Sequence, residues 1–356
     1  MSLDRSRILI VKPSSLGDVV HTLPVVHALK RHHPTCHIGW IVQDSLAPIL
    51  HCDSTVDEVI PISIPSTSDP LASRGVVARA AIATLGTLKQ LRKRFRSNRY
   101  DLVLDLHASF RSGLMGTTSP NGIRIGFSDA KELNTFFQHH TISPDPEKPH
   151  AVDRNLLFAY YLKCPPAPED FRVVTSTSAS ERVQSFLEIE GVSSTERLIY
   201  ANPVARWTTK LWTVQAWSQL ADLLAVQCGA TVVFAGSPAD LPYIQSIAQR
   251  MKSRAVVAAG KLGLAEVAAL LCASRAYVGV DSGPMHIAAF TGAPVVALFG
   301  PTDPAKVGPY GQGHRVIRVK DLDCLACRKR SCANRRCMEE ISPERVLEET
   351  ANLIGW

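Results

Sequence analysis

Tyr277-Val278-Gly279-Val280-Asp281-Ser282-Gly283-Pro284-Met285-His286-Ile287-Ala288-Ala289 reads as a strand, a tight turn and a helix. Tyr277, Val278 and Val280 suit a buried strand, and Gly283-Pro284 ends it. Proline is favoured in a first helical turn because its missing N–H would be unpaired there anyway. The helix is expected from Met285 to about Thr291, stopped by Gly292-Ala293-Pro294. Asp281 and Ser282 stand just ahead of it, where side-chain oxygens cap free amides. Free N–H groups and the helix dipole together make an anion site, so a phosphate, above all a diphosphate, is the expected guest. An ordinary βα turn with an N-cap fits this stretch as well.

Working outward, the same alternation fills the chain. Arg7 to Lys12 is a short β-branched run that reads as a buried parallel strand, followed by the polar turn Pro13-Ser14-Ser15-Leu16-Gly17-Asp18. A helix then carries Val19, Leu23, Val26 and Leu29 on one face up to His33-Pro34. Strands are expected at His37–Val42, Val56–Ile62, Tyr100–Leu106 and Arg124–Phe127, with a short helix near Asp44 and a long basic one from Val76 to Arg96. The stretch from Pro65 to Ser73 reads as a Pro/Ser-rich loop, and 129–149 reads as irregular. A helix opens at His150, and the proline-rich run Cys164 to Asp170 is the best domain linker.

The second half repeats the pattern, with strands at Leu198–Ala201, Thr231–Ala235, Ala255–Ala258, Val295–Phe299 and Val316–Val319 and a last helix Ser342–Ile354. Alternating strands and helices predict an α/β chain with doubly wound parallel sheets. The expected organisation is 1–170 as one Rossmann-like domain, 171–340 as a second, and 341–356 as a C-terminal helix, the two domains facing each other across a central cleft.

Length and composition agree. With 356 residues, 46% of them apolar, both domains can have a sizeable core. No apolar run reaches the roughly 18–20 residues needed to span a bilayer. The start, Met1 to Arg7, leads straight into a strand, which predicts no signal peptide and a cytoplasmic protein. The net charge of +7 favours an acidic partner such as nucleic acid, anionic lipid headgroups or a phosphorylated substrate. Neither G-x-G-x-x-G after a strand nor G-x-x-x-x-G-K-[ST] occurs, which disfavours a dinucleotide redox cofactor or a P-loop nucleotide site.

Four groups of residues carry candidate chemistry. Asp18, at the end of the first βα turn, reads as a helix-capping carboxylate or as a general base, and Gly17 beside it lets a substrate approach the backbone. In the loop Asn202 to Trp212, Arg206 and Lys210 can reach phosphates, while Trp207 and Trp212 either wall a site or anchor the loop. Asp240, after Gly236-Ser237-Pro238, suits a cap or a ribose hydroxyl. Cys324, Cys327, Cys332 and Cys337 crowd into one basic loop and resemble a metal knuckle. Structural zinc or another thiophilic metal competes there with free thiols or a disulfide.

Taken together these motifs carry a family resemblance. Ile8-Leu9-Ile10-Val11-Lys12-Pro13-Ser14-Ser15-Leu16-Gly17-Asp18-Val19-Val20-His21-Thr22-Leu23-Pro24 resembles the N-terminus of the lipopolysaccharide heptosyltransferases of glycosyltransferase family 9, nearest their type I branch. Val280 to Ala289 and Leu298-Phe299-Gly300-Pro301-Thr302-Asp303-Pro304 resemble that family's donor-site motifs, and His150 to Arg154 and Lys210-Leu211-Trp212 fit it too. The resemblance implies a GT-B fold and an inverting transfer that needs no metal or other cofactor. The donor would be ADP-L-glycero-D-manno-heptose, and the acceptor the Kdo/heptose inner core on lipid A, met at the inner membrane face. It implies Asp18 as the base on the acceptor hydroxyl and Lys210 as the group that neutralises the departing diphosphate. Ser282 and Gly283 would offer backbone amides, Asp281 and His286 would hold donor hydroxyls or phosphate, and Asp240 would take the ribose position. This chain has Ala205 and Arg206 where relatives can carry threonines, Ser282 for the usual Thr, and Pro284-Met285 for Leu-Ser.

Two rival readings remain at this level. A nucleotide-sugar epimerase can use the same two-domain fold. A nucleic-acid-binding protein could use the basic cysteine loop, although no aromatic residues interleave there as base-stacking would require.

Overall fold

The computed structural model describes residues 3–66 and 74–356. The loop expected at 65–73 thus falls almost wholly outside the described residues. The chain divides into two compact units, Met1–Phe171 and Arg172–Trp356.

The first unit runs β1 (Arg7–Val11), α1 (Leu16–Val20), α2 (Leu23–His32), β2 (His37–Gln43), β3 (Glu58–Ile62), α3 (Arg74–Ser97), β4 (Leu102–Asp105), α4 (Phe110–Gly116), β5 (Ile123–Phe127), β6 (His140–Ile142) and α5 (Ala151–Tyr161). All its strand pairs are parallel, in the order β3-β2-β1-β4-β5-β6. Ile8 to Val11 are fully buried, as a parallel strand covered on both faces requires. Ala80, Leu88, Leu91 and Phe95 line one stripe of α3 and pack with Leu9, Ile41 and Val103 of the sheet.

The single helix expected after Asp18 is two. Pro24 has no N–H to give to the carbonyl of Val20, where α1 stops, so the chain breaks at His21-Thr22. The irregular stretch 129–149 holds a 3-10 turn, Asn134–Phe137, and the edge strand β6, which is too short to leave a periodic signal. The proline-rich run meant as a linker is tied down. Buried Asp170 pairs with Arg31 at 2.9 Å, and its carbonyl meets His27 Nδ1 at 2.6 Å.

The second unit runs α6 (Thr177–Ile189), β7 (Arg197–Asn202), α7 (Val214–Cys228), β8 (Ala230–Phe234), α8 (Leu241–Ala248), β9 (Val256–Val257), α9 (Leu264–Ala273), β10 (Ala276–Val280), α10 (Gly283–Thr291), β11 (Val295–Leu298), α11 (Pro304–Val307), β12 (His314–Ile317), α12 (Arg336–Glu339) and α13 (Pro343–Ile354). Its parallel sheet has the order β12-β11-β10-β7-β8-β9. Helix α6 was not expected from the sequence, although Ser176 accepts from Ala179 N at 3.1 Å and Ala179, Val183 and Phe186 form its buried stripe. The C-terminal helix α13 packs on α7 within this unit. In β10, Gly279 is demanded by its neighbour, because a Cβ there would lie 2.3 Å from the hydroxyl of Tyr277.

Counted from its own first strand, each sheet has the same order. The central strand is the first, the second and third lie to one side, and the fourth to sixth lie to the other. The winding reverses between β1 and β4 in one unit and between β7 and β10 in the other. Such a reversal leaves a crevice beyond the carboxyl ends of the two strands, where ligands of open α/β sheets bind.

Candidate functional site

The first reversal point gathers Lys12, Ser15, Asp18 and His107. Ser15 is the N-cap residue of α1, and both its N–H (2.9 Å) and its hydroxyl (2.7 Å) donate to Asp18 Oδ2. The capping reading of Asp18 is therefore correct as local structure. The other oxygen, Oδ1, lies 3.5 Å from Lys12 Nζ. Lys12 is buried, and its ammonium also donates to the Leu106 carbonyl at 2.7 Å, across the β1–β4 junction. Burial pushes the Asp18 carboxyl up, but Lys12, the two Ser15 hydrogen bonds and His21 together hold it well below the usual carboxylate range. Asp18 is thus ionised at neutral pH while 42% of its side-chain surface stays open.

His107 follows β4 and hydrogen-bonds the Ser14 carbonyl. Burial and the Lys12 charge hold it below its usual value, so it is neutral at pH 7. Buried Asp105 builds the turn beneath. It accepts from the backbone N–H of His107 and Ala108 and from Ser112, Asn134 and Gln138.

The second reversal point gathers Asn202, Lys210, Asp281, Ser282 and Thr302. Lys210 sits in a 3-10 turn, Thr208–Lys210, and its ammonium reaches Asp281 Oδ2 at 2.6 Å. Thr302, in the loop after β11, donates to the same oxygen at 2.6 Å. Lys210 also stands 4.7 Å from the centroid of the Trp207 ring. Trp212, by contrast, is core. It is buried and donates to the Ile341 carbonyl at 3.0 Å, so only Trp207 faces the site.

The expectation that Asp281 and Ser282 cap α10 is not met. Ser282 is the N-cap residue, but its side chain makes no cap hydrogen bond. Ser282 Oγ accepts from Asn202 Nδ2 at 2.9 Å and lies 3.3 Å from the Tyr277 hydroxyl, while Asp281 is taken by Lys210 and Thr302. The stronger partners on neighbouring strands win both side chains. The start of α10 at Gly283 thus lacks a cap from Ser282 and has a lysine held near it, which suits an anion.

His286 is buried on α10, and Arg206 is exposed in the loop ahead of Lys210. Asp240 closes a capping box, its Oδ2 accepting from Ser237 N (2.8 Å) and Oγ (2.6 Å). Cys324, Cys327 and Cys332 are exposed free thiols and Cys337 is half-buried. Burial and the three neighbouring thiols push Cys337 up. Even so, among the described residues no group of three or more His, Cys, Asp or Glu side chains is placed to hold a metal.

Lys12, His107, Asn202 and Thr302 were not singled out as site residues. Their signal was position: each lies within a few residues of a strand's carboxyl end, inside motifs already noted.

Comparison with known proteins carries this further. The model of glycosyltransferase family 9 (heptosyltransferase) matches residues 88–338. Lipopolysaccharide heptosyltransferase 1 of Pseudomonas aeruginosa is 29% identical over 333 residues, covering 92% of this chain and 87% of that protein. The glycosyl transferase family 9 structure from Veillonella parvula has a TM-score of 0.86 at 25% identity, covering 99% of this chain and 98% of the other. The structure of E. coli heptosyltransferase WaaC with ADP has a TM-score of 0.73 at 25% identity, covering 98% and 99%. This chain, whose two units each hold a parallel sheet of the same strand order, belongs to glycosyltransferase family 9, the heptosyltransferases.

Proposed function

We propose that this chain moves heptose from ADP-L-glycero-D-manno-heptose to the Kdo/heptose inner core of lipopolysaccharide, inverting the anomeric carbon. The observation that carries this reading is Lys210 held by Asp281 and Thr302 near the start of α10, where Ser282 makes no side-chain cap. A similar structure, of the E. coli enzyme, contains ADP.

In this mechanism Asp18 takes the proton from an acceptor hydroxyl. The oxygen attacks the anomeric carbon as the bond from that carbon to the diphosphate breaks, and ADP leaves. Lys210 and the backbone amide of Gly283 meet the charge that develops on the diphosphate, where preorganised donors act most strongly. Ser282 offers its own amide to the same group. Asp281 tunes the site by fixing Lys210, Arg206 and His286 contact the donor, and Asp240 contacts its ribose. Pairing of Lys12 with an anionic acceptor group would offset its pull on Asp18 and make Asp18 a stronger base.

Incubation with ADP-heptose, or a panel of sugar nucleotides, and Kdo2-lipid A tests the reading by the mass of the acceptor. Gain of one heptose supports it. Hydrolysis or epimerisation of the nucleotide sugar with unchanged acceptor would refute it.

We further propose that α3 meets the anionic membrane carrying the acceptor. Its outer face exposes Val77, Ile82 (71%) and Leu85 (68%), followed by the exposed cations Lys89, Arg92, Lys93 and Arg96. An apolar patch continued by basic residues suits a lipid surface. Among the described residues no helix is long and apolar enough to cross a membrane.

A further inference from the structure

The Cys-rich segment 324–337 carries none of the chemistry above, yet it grips the turn that presents Lys210. Arg335 Nη1 donates to the carbonyls of Thr208 (3.1 Å), where that turn begins, and of Leu211 (3.4 Å), the residue just after it. Its other nitrogen, Nη2, is anchored on Glu339 Oε1 at 3.0 Å, one helical turn along α12. Buried Thr209 donates to the Lys329 carbonyl at 2.8 Å. The Arg330 guanidinium lies 4.9 Å from the centroid of the Trp207 ring, the same ring that Lys210 faces. The backbone N–H of Arg328 donates to the Pro301 carbonyl at 2.8 Å, next to Thr302, which holds Asp281.

One segment therefore ties down both loops whose side chains converge on Asp281. A 3-10 turn of three residues makes few hydrogen bonds of its own and does not hold a lysine in one place unaided. Fixing a long, flexible ammonium in advance is worth most where charge develops during reaction.

We propose that segment 324–337 is a strap that sets the position of Lys210, with Arg335 as its principal positioning residue. The inference rests on the reading of Lys210 as a donor-site group, and the test separates the two. ADP affinity is measured by calorimetry, and donor KM and kcat by turnover, for Lys210→Ala, Arg335→Ala, Arg335→Lys and the double variant Lys210→Ala/Arg335→Ala, each checked for fold by circular dichroism.

The strap predicts that Arg335→Ala weakens ADP binding about tenfold, as for loss of hydrogen bonds from a charged donor. Arg335→Lys should recover part of that loss. In the absence of Lys210 the Arg335 substitution should have little further effect, because it acts through that lysine. A folded Arg335→Ala protein with parental ADP affinity, or losses that simply add in the double variant, would overturn the strap. Unchanged ADP affinity in Lys210→Ala would instead refute the donor-site reading. Should Arg335→Ala fail to fold, Thr209→Val breaks the second tie, and parental affinity there overturns the proposal equally.

Discussion

The two reversal points use the same device with opposite polarity. In the first unit a buried lysine, Lys12, stands behind an open carboxylate, Asp18, at 3.5 Å. In the second a buried carboxylate, Asp281, stands behind Lys210 at 2.6 Å. In each pair the partner behind is locked by an oxygen on the neighbouring strand's loop, the Leu106 carbonyl for Lys12 and the Thr302 hydroxyl for Asp281. One strand order thus holds two opposite charge pairs. In the proposed mechanism the lysine behind keeps the base ionised, and the carboxylate behind keeps a lysine aimed at the leaving anion.

The largest effect should come from the open member of the first pair. Asp18→Asn keeps the shape and the Ser15 hydrogen bonds in part, but removes the proton acceptor. Turnover should fall by about 10²–10⁴-fold. Near-parental kcat would remove Asp18 from the reaction. Lys210→Ala should follow, lowering kcat/KM by about 10²–10³-fold as expected for loss of one transition-state charge partner. Steady-state kinetics at varied donor concentration read it.

The locks behind each pair should matter less. Thr302→Val leaves Lys210 and Asp281 in place and frees their tether, so kcat/KM should drop by only about 3–10-fold. A loss as large as that of Lys210→Ala would make Thr302 a direct ligand instead of a brace.

Removing Lys12 changes a pH profile more than a rate. In the parent chain Asp18 sits below its ordinary value of 3.8, so it gives no acid limb between neutral and mildly acid pH. Without Lys12, burial still acts upward and only the Ser15 hydrogen bonds and His21 act downward, so the carboxyl rises from its parental value. The Lys12→Met protein should therefore lose kcat/KM on acidification at a higher pH than the parent does. An unshifted acid limb would break the parallel between the pairs. The smallest effect belongs to α3: Ile82→Asp with Leu85→Glu should reduce sedimentation with anionic vesicles and leave turnover on a delipidated acceptor alone.

Much of the fold was legible because buried parallel strands write themselves as short β-branched runs, as at Ile8 to Val11 and Val278 to Val280. Helix α6 was lost among serines and threonines, and β6 has only three residues. The candidate site was legible where a side chain lies in the loop that follows a strand, as Asp18, Lys210 and Asp281 do. It was illegible where the partner arrives from another strand. Nothing near Lys12 names Leu106, and nothing near Asp281 names Thr302; only the sheet order sets them side by side. For the same reason capping by Asp281 and Ser282, sound as local chemistry, lost to Lys210, Thr302 and Asn202. The epimerase and nucleic-acid readings yield to the family match over 88–338.

The division of labour between the two pairs is tested most directly by titrating ADP into Asp18→Asn and Lys210→Ala proteins side by side in a calorimeter. Parental affinity in the first and clearly weakened affinity in the second is the predicted result. Weakened ADP binding without the Asp18 carboxylate, or full affinity without Lys210, would contradict it.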